Sequence, residues 1–241
     1  MAVTVQSVID RAQTVLQDTT GVRWPVVGEL VLWINDAQRE IALLKPDASA
    51  TNETITLATG TKQSIPSGGN RLLKVVRNMS AASGGTGKRA VRLVDAEVLN
   101  GQTPDWHDPT VSGDAAHTNI VKHFVYEEQN PRNFYVYPGV NGSAFLEIVY
   151  SSNPATVAQS DDLSIPDIFA NAVLNYVLYM AYMKDAEYAG NQQRASSHFQ
   201  LFTASITGKG QTIFACLLYK IYGNFFIFHK ISNFSKFLSE I

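Results

Sequence analysis

The densest group of potentially reactive side chains is the stretch TPDWHDP, residues 103–109, where Asp105, His107 and Asp108 fall within four positions. A carboxylate beside an imidazole is half of an acid–base pair or half of a metal site. Neither half is completed in the chain. There is no nucleophile motif and no HExxH or paired-histidine spacing, and His117 and His123 follow at separations that match no ligand pattern. A structured loop anchored by Trp106 accounts for the stretch, so no catalytic, cofactor-binding or metal-binding residue is assigned and no cofactor is expected. Cys216, the single cysteine, leaves neither an internal disulfide nor a thiolate cage.

Two further groups carry binding chemistry. Ser83-Gly84-Gly85-Thr86-Gly87-Lys88-Arg89 has the composition of a phosphate-cradling loop. However, Ala82 stands where the motif needs glycine, and Arg89 where it needs a hydroxyl. It reads as a hairpin loop. Lys88, Arg89 and Arg92 could meet an acidic partner or a phosphate backbone, although three cations are a small footprint. Phe134, Tyr135 and Tyr137 could stack sugars or bases, but aromatic residues in strands more often pack a sheet, and packing is the favoured reading. Tyr176, Tyr179, Tyr182 and Tyr188 are spaced along one helix face and suit a helix–helix boundary, a subunit boundary or a core edge.

The elements that must position these groups follow from periodicity. Val5, Val8, Ile9, Ala12, Val15 and Leu16 recur at helical spacing behind a capping Thr4, with Gly21 as the stop. Pro25 precedes a second helix whose stripe is Leu30, Trp33, Ile34, Ala37, Ile41 and Leu44, and Pro46 ends it. The short link predicts an antiparallel hairpin. From residue 51 the period becomes two. Thr54–Leu57, Leu72–Val76, Ala90–Val94, Ile120–Tyr126, Phe134–Tyr137 and Phe145–Tyr150 read as strands. Gly60-Thr61, the loop Ser80–Gly87, Asn130-Pro131 and Asn141-Gly142 are the turns, and Asp95 caps a short helix at Ala96–Asn100. Helical spacing returns after Ser164-Ile165-Pro166-Asp167, read as a capped start. Ala170, Val173, Leu174, Val177, Met180 and Ala181 form its apolar face. Gly190 interrupts the run before Ala195, His198, Phe199, Phe202 and Ile206.

The expected fold is therefore α+β: a bundle of two helical hairpins, residues 1–50 and 163–208, carrying an inserted antiparallel β-sandwich or small barrel at 51–162, with a C-terminal extension at 209–241. The extension differs from the rest in charge and aromatics. It holds four lysines and one glutamate, against fifteen cations and twenty carboxylates in the preceding 208 residues, and it carries eight of the 25 aromatic side chains. Lys220, Gly223 and Asn224 interrupt its apolar run, so a membrane-crossing helix fits poorly. A membrane-surface segment and an altered, non-native end remain open. The preferred reading is an extension docked on another protein, with Phe214, Tyr219, Lys220, Tyr222, Phe225, Phe226 and Phe228 as anchors.

Composition bounds the function classes. Charged residues are 17 %, below the usual quarter, so part of the surface is expected to be buried against other chains. A net charge of −2 does not indicate a broad basic surface for nucleic acid. The start MAVTVQSVIDRAQ lacks a basic region followed by an apolar run, so it does not read as a signal peptide, and synthesis in a cytoplasm is expected.

Several whole segments carry a family likeness. They are Trp33-Ile34-Asn35-Asp36-Ala37-Gln38-Arg39-Glu40-Ile41 with Lys45-Pro46-Asp47-Ala48, Arg71-Leu72-Leu73-Lys74-Val75-Val76-Arg77-Asn78-Met79, and Phe134-Tyr135-Val136-Tyr137-Pro138. Asp167-Ile168-Phe169-Ala170-Asn171-Ala172 and Lys184-Asp185-Ala186-Glu187-Tyr188-Ala189 complete them. Over roughly residues 20–205 the chain resembles the head-to-tail adaptor, or connector, proteins of tailed phages, particularly short-tailed ones. The resemblance implies a non-enzymatic virion protein at the neck between capsid and tail. It would form a homo-oligomeric ring, usually of twelve copies, between the portal and the tail nozzle or tube, with a C-terminal extension that reaches the portal. DNA would pass through the bore without specific binding, which a mildly negative chain suits, and no membrane is involved. The alternative is a β-sandwich that binds carbohydrate or a receptor on a phage tail.

Overall fold

The computed structural model describes residues 2–208. They form two compact units, one of residues up to Gln38 together with those from Thr156 on, the other Arg39–Ala155. The fold class is α+β. The seven docking residues proposed in the extension, from Phe214 to Phe228, lie outside the described residues.

In the helical unit, α1 spans Val5–Leu16, and Thr4 caps it by accepting a 3.1 Å bond from the Ser7 amide. Val5, Val8, Ile9 and Ala12 are buried, as their spacing requires. The helix stops at Leu16, earlier than the glycine at 21 suggested. Gln17 takes the left-handed conformation and donates its amide back to Gln13 and Thr14. Asp18 then supplies what the next amides need: its carboxylate accepts from Val22 at 3.2 Å, Arg23 at 2.9 Å and Trp24 at 3.0 Å. After Pro25 a π-helical turn, Val26–Leu30, leads into α2, Val31–Leu44, whose residues from Arg39 on belong to the β unit.

α4 (Ala170–Lys184) and α5 (Asn191–Thr207) form a hairpin around Gly190, whose φ of 87° suits a residue without a side chain. The tyrosine face of α4 lies in this hairpin. Tyr176 meets Phe202 at 5.1 Å, Tyr179 meets Phe199 at 5.0 Å and Tyr182 stacks on His198 at 5.6 Å, an antiparallel ladder of rings. α1 packs on α4. The start of α4 is a 3₁₀ turn, Asp167–Phe169, behind Pro166, and Ser164 is not its cap. Instead the Ser164 amide and hydroxyl both donate to Gln38 Oε1, at 2.7 and 2.9 Å.

The β unit is a sandwich of two four-stranded sheets, ordered β1-β8-β3-β4 and β2-β7-β6-β5, and neither closes into a barrel. The strands are β1 Ala50–Thr56, β2 Gly60–Ser64, β3 Gly69–Met79, β4 Gly87–Ala90, β5 Arg92–Leu93, β6 His123–Val125, β7 Asn133–Val140 and β8 Phe145–Ser152. All pairs are antiparallel except β5–β6. Ile55, Leu72, Val75, Leu146 and Ile148 of one sheet meet Phe124, Phe134, Val136 and Val140 of the other in one continuous core. Two details differ from the sequence expectation. Gly60-Thr61 opens a strand rather than forming a turn. The single strand expected at Ala90–Val94 is two strands in different sheets, because buried Val91 turns into the core between them.

Between β5 and β6 the chain forms a second, smaller core on the outer face of the second sheet. Helix α3, Ala96–Gln102, is capped by Asp95, and Leu99, Trp106, Ala115, Val125 and Tyr137 are buried together beneath it. Alternation along β7 produces both cores. Phe134 and Val136 face the sandwich, while Tyr135 and Tyr137 face the loop.

Candidate interaction surfaces

The Asp105-His107-Asp108 group does not converge. The indole of Trp106 is buried, donates to Asn100 Oδ1 at 3.0 Å and lies 3.7 Å from the His107 ring. His107 Nδ1 is 2.7 Å from the Thr61 hydroxyl, and Tyr135 closes the other side edge-on at 5.5 Å. Burial, and then the neighbouring His117, hold the His107 imidazole below its usual pKa and so in the neutral form. Asp108 turns away to accept from the amide and hydroxyl of Thr110, both at 2.8 Å. The amide bond holds its carboxyl below the usual range. The group builds the loop, as its tryptophan suggested. Among the described residues no cluster of three or more histidine, cysteine or carboxylate side chains could hold a metal.

The Phe134, Tyr135 and Tyr137 set is divided between opposite faces of β7, with Phe134 and Tyr137 both buried. It offers no exposed stacking platform. Of the tyrosine series, only Tyr188 is largely exposed, at 61 %, where the Arg23 guanidinium lies 4.8 Å from its ring centre.

Arg23 organises one end of the helical unit. It pairs with Asp185 at 2.7 Å and also lies over Trp24 at 5.0 Å, while Lys184 pairs with Glu29 at 2.6 Å and donates to the Arg23 carbonyl at 3.2 Å. Together with the Asp18 turn these contacts tie the link after α1 to the end of α4. Arg194 lies 5.7 Å from the Tyr182 ring in the same hollow.

A second hollow of the helical unit is apolar. Val27, Val31 and Leu32 form one wall and residues 156–160 the other. Val27 and Leu32 keep 72 % and 55 % of their surface exposed. Two buried amides of α2 hold the facing segment, and sequence reading missed both as determinants. Asn35 donates to the Val157 carbonyl at 3.0 Å and accepts the Val157 amide at 2.8 Å; Gln38 holds Ser164. Their signal was present as polar side chains within the apolar stripe of α2. It was not decisive, since a polar residue at a stripe edge is commonly solvated.

The β unit has a surface of different character. Arg89, Arg92, Lys122 and His123 line a hollow of about 240 Å³ beside the edge strands β4 and β5. Sequence reading had three of the nearby cations, Lys88, Arg89 and Arg92. The fold adds Lys122, brought in because the Arg92 amide donates to the Lys122 carbonyl at 3.3 Å and Arg92 pairs with His123 in the β5–β6 ladder.

The exposed apolar groove, the cationic edge and the unassembled Asp-His-Asp group describe surfaces for contact. A family model described as SU10 adaptor protein matches residues 3–213. No match to a curated protein is found.

Proposed function

The chain belongs to the SU10 adaptor protein family, and from that premise we propose that it is a head-to-tail adaptor of a tailed phage. An adaptor of this kind is a structural part of the virion that associates with other head and tail proteins, and its work is binding geometry. In the proposed assembly, copies join into a closed ring, twelve being the number the connector resemblance implies, between the portal and the tail nozzle. The genome passes through the bore. Heterologous contacts close into a ring when the rotation between copies divides a full turn.

The observation that supports this reading is the apolar surface of the helical unit. Val27 and Leu32 flank the groove and Ile168 is 83 % exposed, in a chain with only 17 % charged residues. Covering such side chains contributes up to roughly 1.5–3 kcal/mol each, which offsets part of the cost of association. The carbohydrate-binding alternative gains no support from β7, whose aromatic residues are spent in two cores.

Light scattering and negative-stain imaging of the purified chain, alone and with its cognate portal, test the proposal. A ring on the portal that is lost in Val27→Glu/Leu32→Glu, with helical content unchanged, is the expected result. Failure of the unaltered chain to associate with any portal or tail component would sink the adaptor reading. Deleting residues 209–241 tests the separate proposal that Phe214, Tyr219, Lys220, Tyr222, Phe225, Phe226 and Phe228 dock on the portal. A ring that forms on the portal despite the deletion discards that role.

A further inference from the structure

We propose that the β4–β5 edge of the sandwich is a phosphate-backbone contact site, made by Lys88, Arg89, Arg92 and Lys122, that takes duplex DNA without reading its sequence. The proposal stands on the arrangement of these cations and does not depend on the ring.

The first argument is charge. Ion pairs such as Arg23–Asp185, Arg71–Glu128, Arg77–Glu147 and Lys184–Glu29 fall elsewhere. None of Lys88, Arg89, Arg92 and Lys122 has a carboxylate partner among the described residues. Four uncompensated like charges at one edge of a chain with a net charge of −2 repel one another until an anion enters. Inside the hollow, burial first and then Arg89, Arg92 and Lys122 disfavour a proton on His123.

The second argument is preorganisation. Asn78 of β3 is 2 % exposed, and its side chain holds both walls of the hollow. Nδ2 donates to the Arg89 carbonyl at 2.9 Å and to the Val121 carbonyl at 2.8 Å, and Oδ1 accepts the Val121 amide at 2.8 Å. Arg89 and Lys122, the neighbour of Val121, are therefore set by one buried amide.

The third argument separates phosphate from an acidic protein. Protein interfaces are depleted of lysine and carboxylates at their centres and enriched in aromatic and arginine anchors. This hollow is lined by Arg89, Ala90, Arg92, Lys122 and His123, with the His123 ring stacked on Tyr137 at 6.1 Å and so not presented as an anchor. Lys88, Arg89 and Arg92 lie on exposed edge strands and half-buried Lys122 lies just before β6, and a cluster of cations suits an evenly charged polyanion.

The test is fluorescence anisotropy of the full chain with a labelled mixed-sequence duplex across a salt series. With four phosphate contacts, log K should fall against log salt with a slope of about −3.6, or roughly a hundredfold in affinity over a fourfold salt change. Arg89→Gln/Arg92→Gln should reduce the slope by about two, while Lys62→Gln on β2 should leave it unchanged. Circular dichroism confirms that each variant is folded. An unchanged slope in Arg89→Gln/Arg92→Gln overturns the proposal by placing any binding elsewhere, the lysines of residues 209–241 included. Absence of duplex binding at low salt also overturns it. So does tighter binding of polyglutamate than of duplex, which would assign the edge to an acidic protein.

Discussion

The helical unit and the β unit each close around a buried asparagine that behaves like a piece of backbone. In both, the side-chain amide makes a two-bond ring with one valine, Asn35 with Val157 and Asn78 with Val121. The remaining N–H is used differently. Asn35 spends it on its own helix, donating to the Val31 carbonyl at 2.9 Å, whereas Asn78 reaches the edge strand at Arg89. Val121 is fully buried, but Val157 lies in the wall of an open groove. The same chemical device, buried in both units, thus joins two segments in the helical unit and three in the β unit. Removing the clamp that joins more segments leaves more backbone groups without a partner.

Removing the clamps gives the largest expected effect. Asn78→Ala leaves the Val121 amide and two carbonyls without partners and should cost about 3–5 kcal/mol, against about 2–3 kcal/mol for Asn35→Ala. Urea unfolding followed by circular dichroism measures both. Equal losses, or a larger one at Asn35, would break the contrast between the units.

Crowding in the β unit comes next. A Cβ at Gly139 would lie 2.5 Å from the His117 ring, so Gly139→Ala should destabilise by about 1–3 kcal/mol. Shrinking the neighbour should relieve it: in His117→Ala/Gly139→Ala the combined loss should be less than the two single losses added. Additive losses would mean that the ring moves aside without cost.

Acid should separate the units less sharply. Burial lowers the pKa of His107 and His123 in the β unit, and of His198 in the helical unit, from the usual value near 6.5. Below that value the unfolded chain takes up protons that the folded histidines refuse. The stabilisation is therefore complete above pH 6.5 and is lost as the pH falls through the depressed folded values. NMR titration of the imidazole protons should give three midpoints under 6.5. Hydrogen exchange should show acid loosening the unit with two such histidines more. A midpoint at or above 6.5 for His107 would contradict the enclosure by Trp106, Tyr135 and Thr61.

The smallest effect is expected at the surface ion pairs. Lys184→Ala removes a partly exposed pair with Glu29 and should cost no more than about 1 kcal/mol, decreasing with added salt. A larger, salt-independent loss would show that the carbonyl contact to Arg23 dominates.

Local order was legible wherever a residue's role is set by its near neighbours in the chain. The buried face of α1, the Thr4 and Asp95 caps, the stop of α2 before Pro46 and the break at Gly190 all follow from short-range spacing and bonding. The failures share a cause. Ser164 reads as a cap but answers Gln38, 126 positions away, and the helix expected to last until Gly21 is cut short because Asp18 gathers the following amides. Ala90–Val94 reads as one strand, yet Val91 passes into the sandwich core and divides it.

By itself the sequence determined the α+β class, the alternation of helical and strand-rich stretches, the structural character of the Trp106 loop and the family resemblance. Each rests on periodicity, capping chemistry or whole-segment identity, which are properties of neighbours along the chain. Only the tertiary structure decided that β7 serves two cores, that Asn35, Gln38 and Asn78 are clamps, and that Lys122 joins Arg89 and Arg92 at one edge. Those outcomes depend on which distant backbone group comes within 3 Å of a given side chain. Hydrogen bonding fixes that distance only after the sheets have paired and the helices have packed.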